Sequence, residues 1–365
     1  MTRRRLGGPL LVAGVWLGSR LLLFLGCVVV MAQNQLTFEQ AISRWDVLHF
    51  FEIATNGYNE GINIAFFPGF PALLALGVRL GIPLYLAGIG LSLIGSALAA
   101  AALYRLGGTG AACLWLVAPM AVFTFVPYTE AVFCAAAFWA WERGRAGHWG
   151  SAALLAAVAC TFRVSGLFLV GALGLLILTS GRDALARKLL RCLWMLIPLA
   201  VLVAYSYYLQ TLTGSWFAWF DAQEQGWARG FTWPWDSLQH TIDAADPSRW
   251  EGRPEVPVMF FAEIVSMVMG LLTVVISLFL RRWAESAWVG VQVLAFATSY
   301  WFMSVNRAVL LWFPLFTIAG SMAEWNPKNS FGRYLWRVLV GLGTTASVLA
   351  MLAWAWVFFS GGWSS

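Results

Sequence analysis

Charge is what this sequence has least of. Only 11% of its 365 residues are Asp, Glu, Lys or Arg, against about 25% in soluble domains. A chain that is also 60% hydrophobic cannot coat a soluble surface. Histidine occurs three times, as His49, His148 and His240, and no Asp-x-Asp pair is present. A histidine-rich metal centre therefore lacks ligands, and no metal is expected. The five cysteines (Cys27, Cys113, Cys134, Cys160 and Cys192) all lie in or beside apolar runs, which argues against a disulfide framework and against a thiolate cluster. Lysine occurs twice, against 21 arginines. The net charge of +6 is no nucleic-acid signal, because the basic residues sit in short clusters between apolar runs, as topology sorting requires.

What remains is a series of apolar stretches along the whole chain. Candidate spans fall at about 9–31, 65–80, 84–104, 110–126, 128–142, 149–162, 164–180, 188–210, 257–280, 285–303, 307–322 and 334–359, several of them shorter than the roughly 20 residues a straight crossing needs. The short ones are expected to be tilted, re-entrant or broken. The first run follows Arg3-Arg4-Arg5; it is too long for a signal peptide and lacks a clear small-residue cleavage site, so it reads as a spanning helix. The expectation is an all-α polytopic membrane protein, one domain over 1–365, with about 10–12 helices. Two long polar segments interrupt it, at 32–64 and 211–256.

Basic residues sort to the cytoplasmic side. Arg3 to Arg5, Arg105, Arg143 with Arg145, Arg182 to Arg191, Arg281 with Arg282, and Lys328, Arg333 and Arg337 mark that side. Thirteen of the 17 acids, among them Asp46, Glu60, Glu130 and Glu263, fall in or next to the segments this scheme places outside. One conflict stands: two crossings between residue 64 and Arg105 would carry Arg105 outside. Either 65–80 is re-entrant or interfacial, or Arg105 breaks the rule.

The richest chemistry lies in the first polar loop. Its residues run Arg44-Trp45-Asp46-Val47-Leu48-His49-Phe50-Phe51, then Ile53-Ala54 and Gly57-Tyr58, then Phe66-Phe67-Pro68-Gly69-Phe70-Pro71. Thr37-Phe38-Glu39-Gln40 has the form of a capping box, and Asn56-Gly57 that of a C-terminal stop. The spacing predicts an interfacial helix of about 18 residues between them. Asp46 would share a face with His49 and Phe50. An Asp-x-x-His pair can ligate a metal; a lone carboxylate can act as a general base; or the charges are simply solvated.

Ionisable residues in apolar surroundings are functional candidates by default. Glu130 follows Pro127-Tyr128-Thr129, Arg163 sits in Thr161-Phe162-Arg163-Val164-Ser165-Gly166, and Arg307 follows Ser304-Val305-Asn306. Each could snorkel to a headgroup or pair internally, and the arginines could line a phosphate pocket. In the second loop Trp219, Gln223 and Trp227 recur every four residues beside Gln225 and Arg229. Indoles with interleaved amides suit a sugar; an aromatic belt at the interface is the plainer reading.

These motifs, in this order, resemble the GPI mannosyltransferase II (PIG-V-like) family. The likeness rests on Trp45-Asp46 with its aromatic pair, on Pro119 through Tyr128-Thr129-Glu130, and on Arg163 to Gly166. It continues in Gln223 to Arg229 and ends in Arg307 through Pro314-Leu315-Phe316. The chain departs from the family at Ala308, where tyrosine is usual, and at Val164-Ser165, where eukaryotic members have Ser-Asn. The resemblance implies a GT-C fold and a bacterial member in the cell membrane, with the active site facing outside. It further implies a polyprenyl-phosphate-mannose donor, a lipid-linked or glycolipid acceptor, inverting transfer and no cofactor. On that basis Asp46 is the base. Arg163, Arg307 and Arg229 hold the donor phosphate, and Trp45, His49, Tyr128, Glu130, Gln223, Gln225 and Trp227 position substrate. The rival readings are a transporter or flippase of lipid-linked sugars, a GT-C enzyme using another sugar such as glucose or arabinose, and a structural membrane subunit.

Overall fold

The computed structural model describes residues 3–59, 61–181 and 183–364. Glu60 and Arg182, which the charge pattern assigned to opposite sides, lie outside the described residues, as do the side chains of Arg3 to Arg5. Among the described residues all regular structure is helical.

The chain opens with α1 (Arg3–Asn34), followed in the first loop by α2 (Phe38–Ile42) and α3 (Asp46–Asn56). Next come α4 (Gly69–Arg79), α5 (Leu84–Leu116), α6 (Glu130–Arg145), α7 (Trp149–Cys160) and α8 (Ser165–Thr179). A surface helix α9 (Leu185–Cys192) leads into α10 (Leu196–Thr213). The second loop holds α11 (Ala218–Trp227) and α12 (Pro234–Ala244). The chain then continues through α13 (Glu255–Phe279), α14 (Trp283–Ala297), α15 (Val305–Ala308), α16 (Phe313–Ala323) and α17 (Ser330–Phe359).

Among the described residues five helices are long and apolar enough to cross a membrane: Gly7–Asn34, Leu84–Leu116, Leu185–Thr213, Glu255–Phe279 and Ser330–Phe359. A sixth span is broken, with Val305–Leu311 and Phe313–Ala323 meeting at 69°. The break is local chemistry, since Pro314 occupies the first turn of α16, where its missing N–H costs nothing. Several expected spans are thus short apolar helices, notably α4, α7 and α8.

Contacts order the helices between two ends. One carries Asp46 and Glu130; the other carries Arg143. Gly8 of α1 lies against Tyr104, while Phe24 near the other end of α1 packs edge-on against Phe38 of the first loop at 6.1 Å. Helix α5 starts at the Asp46 end, where Phe38 meets Tyr85 at 6.3 Å. It reaches Arg105 at the opposite end, paired with Glu142 at 2.6 Å.

This arrangement removes the conflict over Arg105. Helix α4 has 11 residues, about 16 Å of rise, too short for a crossing. It starts beside Thr161, whose carbonyl accepts from Gly69 N–H at 2.8 Å, and the chain enters α5 still at the Asp46 end. Residues 65–80 do not cross, so one passage separates the first loop from Arg105. At Gly108 (φ 81°) the helix axis breaks inside α5, a backbone angle that glycine adopts freely, and the chain returns through Trp115 and Thr124 to Glu130.

The expected 18-residue loop helix is two helices. Thr37 forms the capping box with Gln40, but α2 stops after five residues. Trp45 has φ 55° and ψ −124°, outside the helical region. Its indole N–H donates to Gly362 O at 3.2 Å. The break makes Asp46 the first residue of α3, at a helix N-terminus, where the backbone dipoles favour a carboxylate.

Candidate active site

Asp46, Glu130, Arg163 and Arg307 come from four distant parts of the sequence and form one network. Arg307 Nη1 donates to Asp46 Oδ2 at 2.6 Å, and its Nη2 reaches Ser304 Oγ at 3.2 Å. Its Nε lies 3.9 Å from Glu130 Oε1. Arg163 Nη1 donates to the same Glu130 oxygen at 2.6 Å and to Thr129 Oγ1 at 2.9 Å. The Arg307 guanidinium also lies over the rings of Phe123 and Tyr128, at 5.5 and 5.3 Å, a favourable stacking for a cation. Glu130 is fully buried, and burial of an ionised carboxylate is tolerated only beside such partners.

The backbone that aims Arg307 is itself held by an acid. Glu263, buried on α13, accepts from the N–H groups of Ser304 at 2.9 Å and Asn306 at 2.8 Å, capping α15 where Ser304 takes φ 68°. Ser266 donates to Asn306 Oδ1 at 2.8 Å. Arg307 is therefore fixed from behind by α13 and from in front by Asp46.

A cavity of about 490 Å³ opens in front of this network. Asp46, Arg163, Arg229 and Arg307 supply its charged wall, and Phe50, Phe66, Trp219, Trp227 and Phe296 much of its apolar wall. Asp46 Oδ2 is taken by Arg307; among the described residues no donor is bonded to Oδ1. Arg229 donates to Gln223 Oε1 at 3.0 Å and sits over Phe296 at 6.0 Å. Burial, then the nearby Arg307 and Arg163, hold its guanidinium down to about 10, so it stays charged at neutral pH. Unlike Arg163 and Arg307, it pairs with no carboxylate among the described residues. Three guanidinium groups face the two carboxylates Asp46 and Glu130, with a third acid, Glu263, buried behind Arg307.

The remaining candidates have other placements. His49 does not meet Asp46: its Nδ1 lies 2.8 Å from Asn63 Oδ1 and its ring stacks on Phe66 at 4.9 Å. Trp45 is exposed and tied to Gly362. Tyr128 is buried beneath Arg307 and Phe50 rather than on the cavity wall. Gln223 lines the cavity, yet both polar ends are engaged, with Nε2 donating to Ala65 O at 3.2 Å and Oε1 accepting from Arg229. Trp219 also donates to Ala65 O, at 3.1 Å. The four-residue rhythm of Trp219, Gln223 and Trp227 thus docks α11 on the first loop, and Trp227 keeps a place on the cavity wall. Gln225 is exposed and does not line the cavity.

Among the polar residues of the wall, Gln292, Thr298 and Ser299 escaped the sequence reading. A search restricted to ionisable groups passes over a neutral amide, though a lone glutamine in the apolar run 285–303 is itself a signal, because its amide must be satisfied where water is scarce.

No family model matches the chain. GPI alpha-1,6-mannosyltransferase 2 of Mus musculus is 40% identical over 152 residues, a match covering 36% of this chain and 30% of that protein. The Homo sapiens protein of the same name is 35% identical over 149 residues, with the same coverage. The chain resembles these transferases over about a third of its length. The match spans less than a third of each relative. Among solved structures, ArnT from Cupriavidus metallidurans bound to undecaprenyl phosphate aligns over 93% of this chain and 75% of its own, with a TM-score of 0.47 and 14% identity.

Proposed function

We propose that this protein is an integral-membrane glycosyltransferase of GT-C type. It would move mannose from a polyprenyl-phosphate-mannose donor to a lipid-linked or glycolipid acceptor at the external face of a bacterial cell membrane. The observation that carries this reading is Asp46, with one carboxylate oxygen open to a cavity whose other charges are arginines. The named relatives support the reaction class.

The geometry fits an inverting displacement. The acceptor hydroxyl donates to Asp46 Oδ1 and its oxygen attacks the anomeric carbon. The new carbon–oxygen bond forms as the bond from that carbon to the phosphate oxygen breaks. The electron pair leaves with the phosphate, and the hydroxyl proton passes to Asp46. Charge grows on the departing phosphate, and preoriented guanidinium groups are best placed to receive it. Arg229 is the first choice for that contact, since Arg163 and Arg307 are already engaged by Glu130 and Asp46. The transfer as written uses these groups alone, and excess chelator should leave the rate unchanged.

The basic residues support the external orientation: Arg105 and Arg143 lie at the end opposite Asp46, where positive-inside sorting puts the cytoplasm. Asp46→Asn keeps size and loses basicity. Transfer from the mannose donor by the purified variant should fall by about 100-fold or more, and near-normal turnover would end the assignment of the base. Orientation is read separately, by labelling Asp46→Cys in a background lacking the native cysteines. Reaction only with a cytoplasmic-side reagent would reverse the topology.

A further inference from the structure

Gln292 lies on the cavity wall, midway along α14, and is 1% exposed. Its Nε2 donates to Trp288 O at 2.8 Å. A backbone carbonyl can only accept, so the nitrogen must face it and the amide cannot be turned round. The other end of the amide, Oε1, is itself buried and has no hydrogen-bond partner, so a ligand reaches it only by displacing the side chains that cover it. Buried acceptors left without a donor are rare because they are costly.

The neighbours on the wall set the chemistry of what could satisfy it. Phe296, one helical turn further along α14 and about 6 Å away along the axis, carries the guanidinium of Arg229 over its ring. Leu167 and Phe168 of α8 also line the cavity, and neither side chain has a donor. A phosphodiester at neutral pH brings only acceptors, and a prenyl chain brings neither donor nor acceptor. A sugar hydroxyl brings a donor, and a phosphosugar bound with its phosphate on Arg229 would carry hydroxyls about one turn away.

We propose that Gln292 Oε1 accepts a hydrogen bond from a hydroxyl of the transferred sugar, which makes Gln292 a specificity-determining residue for the donor. The proposal rests on the glycosyltransferase reading above. It assigns the sugar to the Gln292 level of the cavity and the phosphate to the Arg229 level.

The test is binding to the full chain in lipid nanodiscs, with polyprenyl phosphate and polyprenyl-phosphate-mannose as the two probes. Gln292→Met keeps length and loses the acceptor. It should weaken binding of the sugar-bearing lipid by about tenfold, while bare polyprenyl phosphate binds within about twofold of wild type. Equal weakening of both probes, or of neither, overturns the proposal. Bare-lipid binding also reports whether the variant has folded. Should Gln292→Met bind neither probe, the wild-type protein decides alone, with a series of monodeoxy donors. Loss of about tenfold at one hydroxyl supports the assignment, and equal affinity for all of them sinks it. A wild-type protein that binds both probes alike and transfers no sugar refutes the transferase reading itself, and this proposal with it.

Discussion

The two ends of the molecule use the same residue types for opposite purposes. At one end Glu130 is fully buried between Arg163 and Arg307, and Arg307 continues to Asp46. At the other end Glu142 pairs with Arg105, whose side chain is 52% exposed, and with Arg143. Between α8 and α9 Asp183 takes Arg191 and Arg187, which hold its carboxyl below the usual range. Ion pairs in water contribute little and are screened. Ion pairs taken out of water are costly unless every member is partnered. A membrane protein can pack its helices without buried ions, so we propose that the buried network is the working part and that the exposed arginines are topology markers.

The largest break in this contrast comes from removing Arg307. Without it Asp46 loses its partner and Glu130 keeps only Arg163. Removing one member of a buried pair typically costs about 3–5 kcal/mol, so Arg307→Ala should lower the melting temperature in detergent sharply and abolish transfer. Arg307→Lys keeps the charge but loses the planar fork that serves Asp46 and Ser304 together, and lysine is a poor substitute at such sites. It should fold and transfer more slowly, with the loss visible in kcat/KM. Wild-type kinetics for Arg307→Lys would show that the network is structural only.

A smaller effect is expected one step behind the cavity. Glu263 does not itself line the cavity, yet it accepts from two N–H groups of the segment that aims Arg307. Gln can accept with one oxygen only, so Glu263→Gln leaves one buried N–H poorly served, at about 1–3 kcal/mol. Positioning predicts that kcat/KM falls by more than lipid binding does, and that Glu263→Asp restores part of the rate. Equal loss in stability and rate, without recovery in the aspartate variant, would make Glu263 a packing residue.

Much of this was legible in the sequence. Scarce charge and recurrent apolar runs give the membrane class, the Trp-Asp motif of the first polar loop gives Asp46, and polar residues at odds with their apolar surroundings give Glu130, Arg163 and Arg307. The pattern failed where tertiary contacts decide. Nothing local announces that Trp45 breaks the loop helix, because its indole N–H is bonded to Gly362 O, 317 residues away. His49 shares helical spacing with Asp46 but stacks on Phe66, which the Phe-Phe-Pro segment brings across it. Gln223 reads as a sugar ligand by type, and its partners Ala65 and Arg229 are known only once the loops are folded together. Two bends compare differently with the expected spans: the break before Pro314 divides the run expected at 307–322 into pieces, whereas the bend at Gly108 falls between the spans expected at 84–104 and 110–126.

The smallest effect belongs to the exposed end, and it sharpens the comparison most. Arg105→Ala removes a bond of 2.6 Å to Glu142, as short as that between Arg163 and Glu130. If distance set energy, this variant would behave like Arg307→Ala. Exposure sets it instead: Arg105 is half in solvent, and Glu142 retains Arg143. Stability should change by no more than about 1 kcal/mol, part of it from the stacking of Arg105 over Trp139 at 5.8 Å, and transfer kinetics should stay within about twofold. The residual effect should shrink further in high salt, which screens exposed pairs and spares buried ones. A salt-independent loss comparable to that of Arg307→Ala would mean that the two ends are coupled through α6, which begins at Glu130 and ends beside Glu142, and that the division between working network and topology marker is wrong.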